Sequence, residues 1–250
     1  MGIKRHIPNA ITSLNLICGV IGIICVFDTT FGGWMGPSFM FMLAAVFFDF
    51  FDGLAARLPG VQSSCGKELD SLADVVSFGV LPSLMMSEMC RSHAEGWMAF
   101  LSWIPLLIAV FSALRLARFN IDEKQHDSFI GLPTPASALI CGSFCSSAIR
   151  MPASWGNWIP VVIVAISLVL CFLMVCGLPM FSFKFGKDTK ADTVTRMKRS
   201  AIISISAIVV VLVIAFGLPW QTMILGILLA YILENALLYF LAPGDENVAV

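Results

Sequence analysis

Long apolar runs bounded by charged residues, Pro or Gly recur along the whole chain and restrict its fold more than any other feature. There are eight of them, each close to the roughly 20 residues that a helix needs to cross the hydrocarbon core of a bilayer. They cover residues 8–27, 37–57, 68–90, 97–117, 133–150, 157–177, 200–217 and 221–241. Because lipid offers the backbone no hydrogen-bond partners, each run is predicted to be helical. The expected fold is an all-α, polytopic transmembrane helix bundle with about eight spans.

The composition agrees with an integral membrane protein and leaves little room for a soluble domain. Hydrophobic residues make up 58% of the chain and charged residues only 12%, whereas ordinary soluble domains carry roughly 25% charge. The formal net charge of -1 gives no reason to expect a nucleic-acid partner, and none is predicted. Span five, residues 133–150, is rich in Ala, Ser and Gly, which suit close helix packing inside a bundle better than lipid contact.

Four aspartates, Asp49, Asp52, Asp70 and Asp74, lie at the ends of two of these apolar spans. A carboxylate near hydrocarbon is costly unless it is paired, hydrated or bound to a cation. In helices, Asp49 and Asp52 share a face as i and i+3, and Asp70 and Asp74 share a face as i and i+4. A tight connection at residues 59–60 would make the two helices antiparallel neighbours. All four carboxylates can then converge on one point.

Such a cluster is predicted to bind metal ions. Carboxylates that meet in a small volume repel one another, and hard divalent cations such as Mg²⁺ or Mn²⁺ supply the missing positive charge through oxygen ligands. The alternative is four solvated acids at helix ends. It fits less well with a chain that has only 16 acidic residues and places four of them here.

Basic residues divide unevenly between the two sides of the predicted bundle. If the N-terminus lies in the cytoplasm, all of the 15 Lys and Arg residues except Arg91 and Arg150 fall on the cytoplasmic side. This is the asymmetry of the positive-inside rule, and one span more or fewer would disturb it. We therefore expect an integral protein of the cell (inner) membrane whose N-terminus and aspartate cluster face the cytoplasm.

A longer pattern contains the four aspartates: D-x-x-D-G-x-x-A-R, then eight residues, then G-x-x-x-D-x-x-x-D. Its fixed positions are Asp49, Asp52, Gly53, Ala56, Arg57, Gly66, Asp70 and Asp74. This pattern resembles the signature of the CDP-alcohol phosphotransferases, membrane enzymes that displace CMP from a CDP-linked lipid or alcohol with a second alcohol. Every position matches, so the signal is far more specific than a lone D-x-x-D.

The resemblance implies a general base at the last aspartate of the motif, so that Asp74 takes the proton of the acceptor alcohol. Asp49, Asp52 and Asp70 are the expected metal ligands, and Asp74 can belong to the metal site as well. The expected cofactor is Mg²⁺ or Mn²⁺, bound as a pair of ions that neutralise the phosphates of the CDP-linked substrate. The resemblance also implies direct displacement at phosphorus and a homodimer.

Small and basic residues of the motif are expected to bind the CDP group. Gly53 and Ala56 leave room for a nucleotide against the helix surface, or serve only helix packing. Gly66 has no side chain and so leaves room beside the N-terminus of span three. The amides and the positive dipole end of a helix favour a phosphate there. Arg57 can pair with an aspartate or a phosphate, and Lys67 can reach a phosphate or be an ordinary cytoplasmic lysine.

Three further stretches resemble the membrane-embedded phosphatidylserine synthases within this family. They are RHIPNAITSLNLICGVIGI at residues 5–23, the segment from SALRLARFN to FIGLPTPASA at 112–138, and LPMFSFKFGK at 178–187. In the first stretch, Asn9 and Thr12 are candidate hydrogen-bond partners for the cytidine or its ribose. They can equally be ordinary helix caps.

The same resemblance implies CDP-diacylglycerol as the phosphatidyl donor and L-serine as the acceptor. The carboxylate of serine needs a fixed cation, and the planar guanidinium of Arg115 or Arg118 fits it with two hydrogen bonds. Asn120 follows as a further candidate for serine binding. The alternative for either arginine is snorkelling to lipid headgroups. Pro133 and Pro135 predict a rigid loop that could wall the acceptor pocket.

The expected domain organisation follows from the spans. A catalytic transmembrane domain at 1–177, built from the first six spans, precedes a basic cytoplasmic loop at 178–199, two additional helices at 200–241 and an acidic tail at 242–250. Other members of the family that make archaetidylserine, phosphatidylglycerophosphate or inositol-phosphate lipids remain alternatives. A divalent-cation transporter would also place acids in the membrane, but these acids cluster at one face and Glu234 is alone in span eight.

Overall fold

The computed structural model describes residues 7–28, 35–56, 64–121, 129–148, 158–176, 179–180 and 193–241. Its α-helices are α1 (Ile7–Phe27), α2 (Met35–Ala56), α3 (Ser64–Asp74), α4 (Leu81–His93), α5 (Leu107–Ile121), α6 (Thr134–Ala148), α7 (Ile159–Val175), α8 (Thr193–Ala215) and α9 (Gln221–Leu241). A π-helical segment, Val75–Val80, joins α3 to α4, and a 3₁₀ helix, Gly96–Leu106, leads into α5. The only strands in these ranges, β1 (Phe129–Ile130) and β2 (Pro179–Met180), form a short antiparallel pair. The all-α prediction is confirmed.

The lengths of the apolar helices indicate insertion into a membrane. Within the described ranges, four helical segments are long and apolar enough to cross one, namely Pro8–Phe27, Met35–Ala55, Cys65–His93 and Met98–Ile121. Shorter apolar helices at Ile159–Val175, Ile203–Ala215 and Gln221–Leu237 lie in three further predicted spans. The third predicted span is longer than expected, because the helical rod continues through the π-helical segment.

The fifth predicted span differs from the others because α6 is a 15-residue helix that is mostly buried. At 1.5 Å per residue it is about 22 Å long, shorter than the hydrocarbon core of a bilayer. It packs against α2, α4 and α9, so protein surrounds much of it. Its small residues permit this contact, since a Cβ on Gly142 would come within 2.5 Å of the Phe39 ring. The expectation that span five packs inside the bundle is confirmed.

Helix α1 holds together the part of the bundle that carries the aspartates. It packs against α2, which carries Asp49 and Asp52, and against α3, which carries Asp70 and Asp74. It also contacts the π-helical segment, which α5 touches as well. The aspartates therefore lie at a place where α1, α2 and α3 meet. The predicted connection at residues 59–60 lies outside the described residues.

The last two helices add to the bundle on the side of α6. Helix α9 packs against α6, and α8 packs against α9. Helix α8 begins at Thr193, inside the segment that was expected to be the basic loop at 178–199. Residues 181–192 of that loop and the expected acidic tail at 242–250 lie outside the described residues.

Candidate functional site

Three of the four predicted aspartates meet in the structure. Carboxylate oxygens of Asp49, Asp70 and Asp74 all lie within 4.8 Å of one another. Asp49 comes from the last third of α2, while Asp70 and Asp74 are one turn apart at the end of α3. Asp52 is one turn after Asp49 and lies close enough to interact electrostatically with Asp49 and Asp70, but it is not a member of this group.

The burial of these carboxylates makes the cluster suitable for a divalent cation. The side chains of Asp52 and Asp74 are only 4% and 9% exposed. Among the described residues, Asp52 Oδ2 and Asp70 Oδ1 are buried and have no hydrogen-bond partner. A buried polar atom without a partner is unfavourable, and neighbouring carboxylates repel one another. Because every donor atom is an oxygen, the set fits a hard cation of the Mg²⁺, Mn²⁺ or Ca²⁺ type.

Asp74 is bounded by polar groups from two other helices. The side chain of Asn15 in α1 donates from Nδ2 to Asp74 Oδ1 across 3.3 Å. On α5, the guanidinium of Arg115 is near enough to Asp74 for electrostatic attraction. Nη1 of Arg115 donates to Thr134 Oγ1 at the start of α6 across 3.1 Å. The last aspartate of the motif therefore has an amide donor from α1 and a cation from α5.

The two candidate arginines occupy different environments. Arg115 is 9% exposed, and its Nε has no hydrogen-bond partner among the described residues. Arg118, one turn later on α5, is exposed. Buried guanidinium groups are normally fully hydrogen-bonded, so the unpartnered Nε of Arg115 remains available to a ligand. The exposed Arg118 is free to reach water or lipid headgroups.

Two of the residues predicted to bind the nucleotide border the aspartates. Thr12 in α1 is buried and donates to the carbonyl of Pro8 across 3.0 Å, and its side chain also interacts with the carboxylate of Asp52. Gly53 is exposed, and apart from its own helix no atom of the described residues lies within 4 Å of the position that a Cβ would take there. The surface of α2 beside Asp52 is therefore open to another group. Asn9 is half-buried in the first turns of α1.

Three further motif residues follow one another in the sequence from the end of α2 to the first turn of α3. Ala56 is the last residue of α2, and Arg57 lies outside the described residues. Gly66 is a half-buried residue in the first turn of α3. The N-terminal end of a helix favours an anion through its positive dipole, and Gly66 lies in that first turn.

Lys67 and Asn120 are joined to each other by hydrogen bonds between α3 and α5. Lys67 Nζ donates to the carbonyl of Asn120 across 3.4 Å, and Asn120 Nδ2 donates to Ser71 Oγ across 2.8 Å. Ser71 in turn donates to the carbonyl of Lys67. The two residues, predicted to bind different substrates, thus form one contact that ties the end of α5 to α3.

Asn15 and Thr134 contact the predicted site residues but were not among the candidates from the sequence. For Asn15 a signal exists, since it is a polar residue inside the first apolar span and lies one turn after Thr12 on the same face. For Thr134 the only signal is its place between the two prolines of the GLPTPA loop. Neither feature identifies Asp74 or Arg115 as the partner.

Comparison with known proteins shows the family to which this chain belongs. The family model described as CDP-alcohol phosphatidyltransferase matches residues 5–164, a range that contains every candidate site residue from Asn9 to Asn120. Several curated relatives carry the name CDP-diacylglycerol–serine O-phosphatidyltransferase. The one from Bacillus subtilis is 35% identical over 136 residues, which are 54% of this chain and 72% of that protein.

Two further relatives carry the same name. The protein from Methanocaldococcus jannaschii is 38% identical over 139 residues, 56% of this chain and 60% of that protein. The protein from Mycobacterium bovis is 33% identical over 183 residues, 70% of this chain and 60% of that protein. The alignments therefore span about three-fifths of the length of these two relatives.

Proposed function

Because this chain belongs to the CDP-alcohol phosphatidyltransferase family, we propose that it transfers the phosphatidyl group of CDP-diacylglycerol to L-serine and releases CMP. The names of its relatives support the choice of both substrates. The observation that carries the proposal is the meeting of the Asp49, Asp70 and Asp74 carboxylates beside the buried guanidinium of Arg115. Within one site, the carboxylates would hold the cations that bind the donor phosphates, and the guanidinium would bind the carboxylate of the acceptor.

Asp49, Asp52 and Asp70 would be the principal ligands of the divalent cations, and Asp74, which lies close to Asp49 and Asp70, would add one oxygen at most. We propose Mg²⁺ or Mn²⁺, and a pair of ions. When bound, such ions neutralise the pyrophosphate oxygens and the negative charge that develops at phosphorus. The helices position the carboxylates. Helix α2 carries one pair one turn apart, α3 carries the other pair one turn apart, and α1 packs against both helices.

Asp74 accepts the proton of the serine hydroxyl. As the proton leaves, the serine oxygen forms a bond to the phosphorus of the diacylglycerol phosphate. The bond from that phosphorus to the oxygen of CMP breaks, and CMP leaves with the electron pair. Asp74 suits this role because it is buried at the end of α3 and already accepts a hydrogen bond from Asn15. General base catalysis requires a carboxylate whose direction is fixed in this way.

Arg115 binds the carboxylate of serine. Its Nη1 is held by Thr134, whereas its Nε has no partner among the described residues, so the guanidinium is oriented and still has a donor to offer. Arg115 is close enough to Asp74 for electrostatic attraction, and serine is short, so a carboxylate bound at Arg115 would keep the serine hydroxyl near Asp74. Ethanolamine lacks this carboxylate and is expected to be a poor acceptor. The exposed Arg118 is left for lipid headgroups.

The nucleotide lies along α1 and α2. The open face at Gly53 lets a flat group approach the backbone of α2, and Thr12 and Asn9 offer hydrogen bonds from α1. The cytidine would then lie beside the aspartates that face the phosphates. A role for Arg57 in phosphate binding stays a prediction, as does the homodimer. The expected location is the cell (inner) membrane, with this site and the N-terminus in the cytoplasm.

An assay of the purified protein with a panel of acceptors tests the proposal. CMP release is measured with CDP-diacylglycerol, Mn²⁺ or Mg²⁺, and either serine, ethanolamine, glycerol 3-phosphate or inositol phosphate. We expect release with serine and little with the others. Release with glycerol 3-phosphate or inositol phosphate but not with serine would replace the acceptor and keep the phosphotransferase. No CMP release with any acceptor, together with Mn²⁺ uptake into proteoliposomes, would favour a transporter.

A further inference from the structure

We propose that Asn15 is a positioning residue that holds the Asp74 carboxylate towards the acceptor alcohol, and that Ser77 and Gly19 keep Asn15 in place. The proposal rests on the role of Asp74 as the proton acceptor. Asn15 lies in α1, Ser77 in the π-helical segment and Gly19 one turn after Asn15. The four residues form a continuous contact between α1 and the segment that carries Asp74.

The first step is the contact between the two side chains. Asn15 is fully buried, and its Nδ2 lies 3.3 Å from Asp74 Oδ1. A carboxylate only accepts hydrogen bonds, so the amide nitrogen must face it. Asn15 Oδ1 has no hydrogen-bond partner among the described residues. A buried amide in an apolar helix is unfavourable unless its hydrogen bonds are made, and within the described part of the chain the side-chain bond of Asn15 is to Asp74.

The second step is the way in which α1 is held against the π-helical segment. Ser77 Oγ donates to the backbone carbonyl of Asn15 across 3.1 Å. This approach requires a residue without a side chain on α1, because a Cβ on Gly19 would overlap the Ser77 hydroxyl. Gly19 is also the residue whose amide pairs with the Asn15 carbonyl in a regular helix. Ser77 and Gly19 therefore fix the backbone of α1 at the residue that binds Asp74.

The third step is the position of the π-helical segment. It begins at Val75, directly after Asp74, and contains Ser77 as a buried residue. The wider i to i+5 turn rotates the residues that follow relative to an uninterrupted α-helix. Ser77 consequently faces α1 from the same rod that carries Asp74. Two points of α1, the Asn15 side chain and its carbonyl, are thus tied to one short stretch of the third span.

Asn15→Leu tests the proposal, because leucine has a similar size and cannot donate to a carboxylate. Steady-state CMP release is measured with serine and CDP-diacylglycerol each varied in turn, and CMP binding is measured separately. We expect kcat to fall roughly ten- to a hundredfold, the loss expected for one hydrogen bond to a charged group. The KM for CDP-diacylglycerol and the affinity for CMP should be unchanged. Ser13→Ala, an exposed position on the same helix, is the matched control and should leave all values unchanged.

Ser77→Ala provides a second variant if Asn15→Leu does not fold. It removes the hydroxyl that holds the Asn15 carbonyl without adding volume. We expect a smaller, severalfold fall in kcat with unchanged KM values. If both variants fold and neither changes kcat, or if the KM for CDP-diacylglycerol rises as much as kcat falls, Asn15 has only a packing role and the proposal is wrong.

A double variant separates this proposal from the role of Asp74. Because Asn15 acts through Asp74, Asn15→Leu should cause no further loss of kcat when Asp74 is already Asn. A further loss equal to that of the single variant would show that Asn15 acts elsewhere and would overturn the proposal. If instead Asp74→Asn alone keeps turnover near the wild-type value, the assignment of Asp74 as the proton acceptor is the part that fails.

Discussion

Replacement of Arg115 by Lys is expected to weaken serine binding and to leave CDP-diacylglycerol binding nearly unchanged. The guanidinium of Arg115 is 9% exposed, donates from Nη1 to Thr134 and has an unpartnered Nε within the described structure. Lys keeps the positive charge but loses the planar fork that binds a carboxylate with two hydrogen bonds. One charge-assisted hydrogen bond is worth about 1.5–3 kcal/mol, so the serine KM should rise roughly ten- to a hundredfold.

The measurement is CMP release with serine varied at saturating CDP-diacylglycerol, and then with the lipid varied at saturating serine. Arg118→Lys makes the same change at an exposed arginine one turn later on α5, and its serine KM should change little. A rise in the serine KM for Arg118→Lys and none for Arg115→Lys would refute the assignment to Arg115. An equal rise in the KM of both substrates would indicate damage to the whole site.

Three further predictions concern the aspartates and the orientation of the chain. Asp74→Asn should lower kcat by about 10²–10⁴-fold while CDP-diacylglycerol still binds, and a rate above roughly a tenth of wild type would exclude it as the base. Asp49→Asn and Asp70→Asn should each shift Mn²⁺ titrations of activity and of CMP binding to higher concentration; unchanged titrations in both would remove the metal assignment. With the other cysteines replaced, Cys65 should react with an impermeant maleimide from the cytoplasmic side and Glu95→Cys from the outside, and the opposite result would invert the topology.

Spacing along a helix was enough to predict from the sequence which aspartates share a helix face. Asp70 and Asp74 share a face of α3 because helical periodicity brings i and i+4 together. The meeting of Asp49 with them was predicted from the cost of acids near hydrocarbon and from the motif. The packing of span five was predicted from its small residues, since these let neighbouring helices approach closely. Each of these predictions rests on a local property of the chain.

Contacts between distant parts of the chain were not predictable in the same way. Asn15 and Asp74 are 59 positions apart, and Arg115 and Thr134 are 19 apart, so their pairing depends on how the helices pack. Lys67 and Asn120 were assigned to different substrates, yet packing of α3 against the end of α5 joins them. The π-helical segment was not predicted from the sequence, and in the structure it contacts both α1 and α5.

The most direct test of the proposed reaction is the fate of the serine hydroxyl oxygen. L-serine carrying a heavy oxygen isotope in its hydroxyl is supplied to the purified protein with CDP-diacylglycerol and Mn²⁺, and both products are analysed by mass spectrometry. Direct displacement at phosphorus predicts that phosphatidylserine keeps the isotope in full and that CMP carries none. Phosphatidylserine without the isotope, or CMP release without a serine-containing lipid, would contradict the attack of the serine hydroxyl on phosphorus.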